Sequence, residues 1–398
     1  MTDRSRAEAA ERTGLHPAYL ERLLELGILA PGQPDQFSAG DVRRARLVAT
    51  LEGAGIPIEG LAEGIRRGAI NMDFLDAPSY ERFAALGPET FRQVSDRTGV
   101  PLELVMTIRE AIGLATPDPD DRLREDEELI VPFLQLQVEE GFSAAATERL
   151  LRVTGDSMRR ITEQEGAWWL SEVVAPSKGI DAAGQFGRPE LTRRVASLAE
   201  QNVVAMYHAL QSQAWTASIL EGFERTLEAA GIHSRLERVP AICFLDITGY
   251  TRLTQERGDD AAAELASTLS RLVQRSSVKH GGKPIKWLGD GVMFYFPETR
   301  GGVRCALEMI DDLASAGLPP AHVGLDAGTV LFQDGDYFGQ TVNLSSRIAD
   351  YARPGEVLVS QAVADACGED PGLAFSRIGP VELKGVATPV ELLRAELN

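Results

Sequence analysis

The chain has 398 residues, 44% of them hydrophobic, which is enough for two or three domains with real cores. A formal net charge of -19 argues against a broad nucleic-acid or anionic-membrane footprint. The 3 cysteines, Cys243, Cys305 and Cys367, are odd in number and far apart, and the 5 histidines lack ligand spacing. The expectation is reduced, buried thiols, no disulfide framework and no zinc site. The opening Met1-Thr2-Asp3-Arg4-Ser5-Arg6 lacks the apolar core of a signal peptide, and no apolar run reaches the ~18 residues of a membrane helix. A cytoplasmic protein without a membrane span is expected.

The first half reads as helices joined by short turns, and it repeats. Glu11-Arg12-Thr13-Gly14-Leu15 recurs as Asp96-Arg97-Thr98-Gly99-Val100. Gly27 answers to Gly113 and Gly55 to Gly141, with the register held to within one residue. Each copy, near 8–68 and 93–155, resembles the helix-turn-helix of MerR-type regulators. A DNA-reading version would present Arg, Asn or Gln from the helix after the Thr-Gly turn. Here that helix carries Glu21, Arg22 and Glu25 in one copy, and is apolar with Glu103 in the other. A regulatory or packing role is expected, with no nucleic acid as partner. Residues 1–190 are thus read as an all-α regulatory domain.

From Leu191 to Ala230, apolar residues fall at helical spacing, among them Leu198, Met206, Leu210, Leu220 and Phe223. Residues 191–235 are expected to be a helical transducer, with Trp168, Trp169 and Trp215 packed in a helical core.

After Ala241 the pattern changes to alternating strands and helices. Strands are expected at 241–247, 284–288, 292–296, 322–331, 356–360, 373–383 and 389–396. Helices are expected at 250–279, 301–316, 341–352 and 361–367. This order predicts an α+β domain with helices on one face of a mixed sheet. Two carboxylates stand at strand ends. Asp246 closes the apolar run Ala241–Ile247 ahead of a Thr-Gly loop, and Asp290 sits in a Gly-Asp-Gly turn before Val292–Phe296. Asp-Gly between two apolar runs is a hairpin signal. Two aspartates on adjacent strand ends can converge on hard cations, which take oxygen ligands and usually phosphate as well.

These motifs, with Asn343-x-x-x-Arg347 and Lys384-Gly385, resemble in order and spacing the catalytic domain of class III nucleotidyl cyclases. The resemblance covers 236–398 and implies a ferredoxin-like βαββαβ core. It implies that Asp246, with Ile247 beside it, and Asp290 hold two Mg²⁺ or Mn²⁺ ions per site. Thr248, Gly249 and Tyr250 match the phosphate loop, and Lys384 a triphosphate contact. Lys286 and Asp336 match the base-recognising pair. A carboxylate accepts from the adenine N6 amine and an ammonium donates to N1, so ATP is favoured over GTP. Asn343 and Arg347, four apart on a helix, share a face; the resemblance assigns them to the ribose and the α-phosphate. Because metal and Asn/Arg residues of one family site come from different subunits, a homodimer with two shared sites is implied. Asp326 and Trp287 depart from the usual family residues. The helical half resembles the soluble regulatory region of actinobacterial cyclases. It implies control, often inhibitory, through the dimer; the sequence leaves the stimulus open among a small-molecule or lipid effector, a proton and a partner protein. The expected activity is ATP to 3′,5′-cyclic AMP and diphosphate. The alternatives are a guanylate cyclase, or a DNA-binding regulator with a nucleotide-sensing domain.

Overall fold

A computed structural model describes residues 4–33, 35–76, 85–174, 189–232, 238–249 and 259–398. Tyr250, part of the expected phosphate loop, lies outside them. The chain divides into two compact units, Met1–Gly222 and Phe223–Asn398.

The first unit is built twice from one plan. Helices α1 (Arg6–Thr13) and α2 (Pro17–Glu25) are answered by α5 (Phe91–Thr98) and α6 (Leu102–Ala111). Both α1 and α5 start in a capping box, Ser5 with Glu8 and Thr90 with Gln93. Both end at a left-handed glycine, Gly14 at φ 70° and Gly99 at φ 73°, which only a residue without Cβ adopts cheaply. Leu20 and Leu23 of α2 are buried, as are Val105 and Ile108 of α6. Helix α3 (Ala39–Gly53) is answered by α7 (Glu125–Glu128) and α8 (Val131–Glu139), and α4 (Ile58–Arg66) by α9 (Ala144–Trp169).

The copies also share a buried acid at the third position of a helix. Asp41 caps Ser38 and pairs with Arg44 at 2.9 Å. Glu127 is fully buried; Arg109 donates to both its oxygens at 2.7 Å, and the Arg124 N–H donates at 2.7 Å. The unit is not all-α as expected. A two-stranded antiparallel ribbon joins β1 (Leu86–Thr90) to β2 (Arg122–Arg124), and its counterpart is a single bridge, Arg4 with Phe37. These segments are too short to show strand periodicity.

Helix α10 (Pro189–Ala229) departs from the expectation of a packed core. Leu198, Met206, Leu210, Leu220 and Phe223 are exposed, as are Trp168 and Trp215. Helical spacing of apolar residues marks a face suited to burial without saying what buries it. Among the described residues, no helix is long and apolar enough to cross a membrane.

The second unit is a seven-stranded mixed sheet in the order β10-β11-β9-β6-β3-β5-β4. The strands are β3 (Ala241–Ile247), β4 (Lys283–Leu288), β5 (Gly291–Phe296), β6 (Ala321–Ala327), β9 (Val357–Ser360), β10 (Leu373–Val381) and β11 (Val390–Leu397). Helices α11 (Asp259–Lys279), α12 (Thr299–Ser315) and α14 (Gln361–Cys367) complete the alternation. Only β6 and β9 pair in parallel. The expected strand 322–331 ends early, at Ala327, and Leu331–Gln333 instead forms β7, paired with β8 (Asp336–Phe338) as a separate ribbon.

Side chains alternate across this sheet. Cys243, Leu245 and Ile247 of β3 pack into the main core with residues of α11, α12 and α14, whereas Ile242 packs on the opposite face with Met293 and Tyr337. The three cysteines are buried and unpaired by disulfides. Burial pushes the Cys305 thiol up to about 12 and the Cys367 thiol up to about 11.

Helices lie on both faces, not on one. Helix α13 (Gln340–Tyr351) covers the face opposite the main core, where Ile348 packs with Leu358 and Leu392. Its approach depends on Gly324, because a Cβ there would stand 2.1 Å from the Ala349 backbone nitrogen.

Gly324→Val should push α13 off β6 and cost about 3 kcal/mol or more, measured as a lowered denaturation midpoint of the second unit. Glu127→Ala should cost about 3–5 kcal/mol by stranding Arg109. Breaking the exposed Glu89–Arg97 pair should cost under about 1 kcal/mol, read like the Glu127 change from the denaturation midpoint of the first unit.

Candidate active site

Parity on β3 sends Asp246 to the same sheet face as Ile242 and Phe244, the face that α13 covers. Asp246 sits across the ladder from Gly291, so the β4–β5 turn carries Asp290 to its side. Burial pushes the Asp246 carboxyl above its ordinary value, and the Asp290 charge pushes in the same direction. A carboxylate that resists ionising beside a second one suits a cation, whose charge offsets that cost. His322, opposite Asp246 on β6, comes within 3.6 Å of its Oδ2 and within 3.2 Å of Thr248 Oγ1.

Among the described residues, no group of three or more His, Cys, Asp or Glu side chains forms a metal cage. The carboxylates of Asp246 and Asp290, with Ile247 next in the chain, have the oxygen chemistry of the sparser donor set that Mg²⁺-type ions complete with water and phosphate. Thr248 follows, its N–H donating to the Pro320 carbonyl at 2.9 Å, and Gly249 turns at φ 77°.

Lys286 and Asp336 meet in a direct ion pair, with Asp336 also accepting from the Tyr337 N–H at 2.8 Å. Asn343 and Arg347 both lie on α13; Arg347 pairs with Asp350 at 2.9 Å. Lys384 is exposed in a turn whose Leu383 packs against the α13 residue Ile348. The chain thus brings together Asp246 with Asp290 and Lys286 with Asp336. Among the described residues, no ion pair joins Arg347 to either Asp246 or Asp290.

Asp326, which stands where the resemblance leads one to expect His, Asn or Ser, is buried and accepts from the Ser360 hydroxyl at 2.5 Å. Its N–H donates to Ser345 Oγ of α13 at 3.0 Å, so it ties β6 to the helix. Sequence reading did not single out His322. A polar residue inside the apolar run Ala321–Leu325, in the strand that pairs with β3, was the available signal.

Because folding raises the Asp246 carboxyl, its ionisation costs stability. That penalty is absent below the ordinary value of 3.8, grows as pH rises through it, and is complete above the raised value. Without cation, Asp246→Asn should therefore melt above the unsubstituted protein at pH 7, with the gap closing as pH falls toward 3.8. Added Mn²⁺ should raise the melting temperature of the unsubstituted protein more than that of the variant. Equal gains would remove Asp246 as a cation ligand.

Residues 38–201 match the family model for the adenylate cyclase regulatory domain, and residues 233–393 match that for the adenylate and guanylate cyclase catalytic domain. The chain is 28% identical over 312 residues to a pH-sensitive adenylate cyclase of Mycobacterium tuberculosis, covering 76% of this chain and 77% of that one. It is 27% identical over 275 residues to an adenylate cyclase of Streptomyces coelicolor, covering 69% and 70%. The solved adenylyl cyclase CyaB of P. aeruginosa is 21% identical, with 40% of this chain and 94% of that one covered and a TM-score of 0.36. The chain is therefore an adenylate cyclase in two parts, a regulatory domain of that enzyme class followed by a class III cyclase catalytic domain.

Proposed function

We propose that the enzyme converts ATP to 3′,5′-cyclic AMP and diphosphate at sites shared between two copies of the chain, under control of its first unit. The observation that carries the choice of ATP is the meeting of Lys286 and Asp336. Side by side they offer one donor and one acceptor, the complement of the adenine N1 and N6 edge. Guanine reverses that polarity, and unpaired polar groups in a closed pocket discriminate by about 10⁴-fold.

The remaining residues take roles set by their chemistry. Asn343 orients the ribose so that its 3′ oxygen faces the α-phosphorus. Arg347 donates to the α-phosphate oxygens as charge builds there. The loop of Thr248, Gly249 and Tyr250, through groups other than the Thr248 N–H, and the ammonium of Lys384 hold the triphosphate. The new 3′-O–P bond forms as the 3′-hydroxyl releases its proton to water and the P–O bond to diphosphate breaks. Two divalent cations, Mg²⁺ or Mn²⁺, held by Asp246, Asp290 and the Ile247 carbonyl, would supply Lewis acidity to the 3′-hydroxyl and neutralise the leaving group.

The Arg347–Asp350 pairing within one chain supports a site completed by the helix of a second copy. A head-to-tail pair then yields two equivalent sites. The doubled helical unit, which resembles MerR-type modules, is read as the regulatory part, taking a small-molecule or lipid effector or responding to pH. Its acidic and apolar second helices support that over nucleic-acid binding. Consumption of ATP fits a cytoplasmic setting.

Purified protein given Mn-ATP should yield cyclic AMP; no product at any metal or pH would defeat the proposal. Asp246→Ala and Arg347→Ala should each abolish activity. Mixing the two should restore up to about a quarter of it, because one site of a mixed pair regains both halves. Failure to complement would argue for a site within one chain. Lys286→Glu should lower ATP use most, by about 10²-fold or more, with GTP use less affected.

A further inference from the structure

We infer that Lys283 is a positioning residue for base recognition, clamping the β7–β8 ribbon so that Asp336 meets Lys286. This inference rests on the base-recognition reading above.

The ribbon carrying Asp336 belongs to no other sheet, so side chains must hold it in place. Lys283, on edge strand β4, is what they converge on. Its Nζ lies 5.7 Å from the ring centroid of Tyr295, 5.7 Å from that of Phe332 and 5.5 Å from that of Tyr337. Tyr295 comes from β5, Phe332 from β7 and Tyr337 from β8, so one ammonium contacts rings on both sides of the joint. All three distances fall within the range of cation–π attraction. The rings also pack together. Tyr295 stacks on Tyr337 at 4.4 Å and 10°, and Phe332 meets Tyr337 at 5.0 Å and 54°. Burial pushes the Tyr337 phenol up to about 12, so that ring stays neutral at working pH.

A β-bulge makes the arrangement possible. In a regular strand, residues three apart point to opposite faces. The β4–β5 register shifts between Pro284 and Lys286, so that Lys283 faces Tyr295 and Lys286 faces Met293. Tyr295 and Met293 lie on one face, packed with Ile242 and Tyr337. The extra residue therefore turns both lysines to the same side. Asp336 is next to Tyr337 in sequence, so a ring seated against Lys283 fixes the carboxylate beside Lys286.

Full-length Lys283→Met keeps the length of the side chain and removes the ammonium. Amides 331–338 should exchange hydrogen about 5- to 20-fold faster, and KM for ATP should rise by a similar factor, with kcat within about 2-fold. The preference for ATP over GTP should fall, with the melting temperature nearly unchanged. Lys283→Arg should recover both exchange protection and KM, because a guanidinium also stacks on aromatic faces. Unchanged exchange in Lys283→Met would overturn the clamp. Faster exchange with an unaltered KM and base preference would overturn its role in recognition. If the unsubstituted enzyme made no cyclic AMP while the variant still lost protection, the ATP reading would fail and the clamp would stand.

Discussion

The catalytic half depends on the two-residue alternation of its central strand. Even-numbered positions of β3 put Asp246 on the face that α13 covers, while odd-numbered positions put Cys243, Leu245 and Ile247 into the main core. The helix with Asn343 and Arg347 sits on that face because Gly324 has no side chain to keep it away. The β4 bulge brings Lys286 to the same side. One face of one sheet thus collects the polar groups, and the opposite face supplies the apolar burial that holds them rigid.

The site stores electrostatic cost. Burial and the neighbouring Asp290 charge raise the resistance of Asp246 to ionising, and His322 offsets only part of that. Proteins commonly accept such costs where function needs the charge. The first unit handles charge differently. Its buried acids, Asp41 and Glu127, sit at helix starts beside arginines, so the same chemical group is satisfied there and poised in the catalytic half.

Much of this was legible beforehand. Strand β3 follows its apolar run residue for residue, and helix α14 falls at 361–367 as its pattern implied. The Asp-Gly turn placed Asp290 because hairpin chemistry is local. What was missed depends on distant partners. No periodicity reveals that Gly324 would be needed under a helix, that His322 would stand beside Asp246, or that Lys283 would sit among three rings. Each depends on which strands become neighbours. The exposed residues of α10 make the same point in reverse, since the spacing announces a sticky face without naming what it meets.

The thiols of this chain have a practical consequence. Cys243, Cys305 and Cys367 all lie in the catalytic half, out of reach of solvent, and burial keeps them protonated. A thiol must ionise and be reached before it attacks a maleimide. The native enzyme is therefore dark to such dyes while folded. A single cysteine introduced on the surface of either half would carry a fluorophore or spin label without background, which makes the association of copies open to direct measurement.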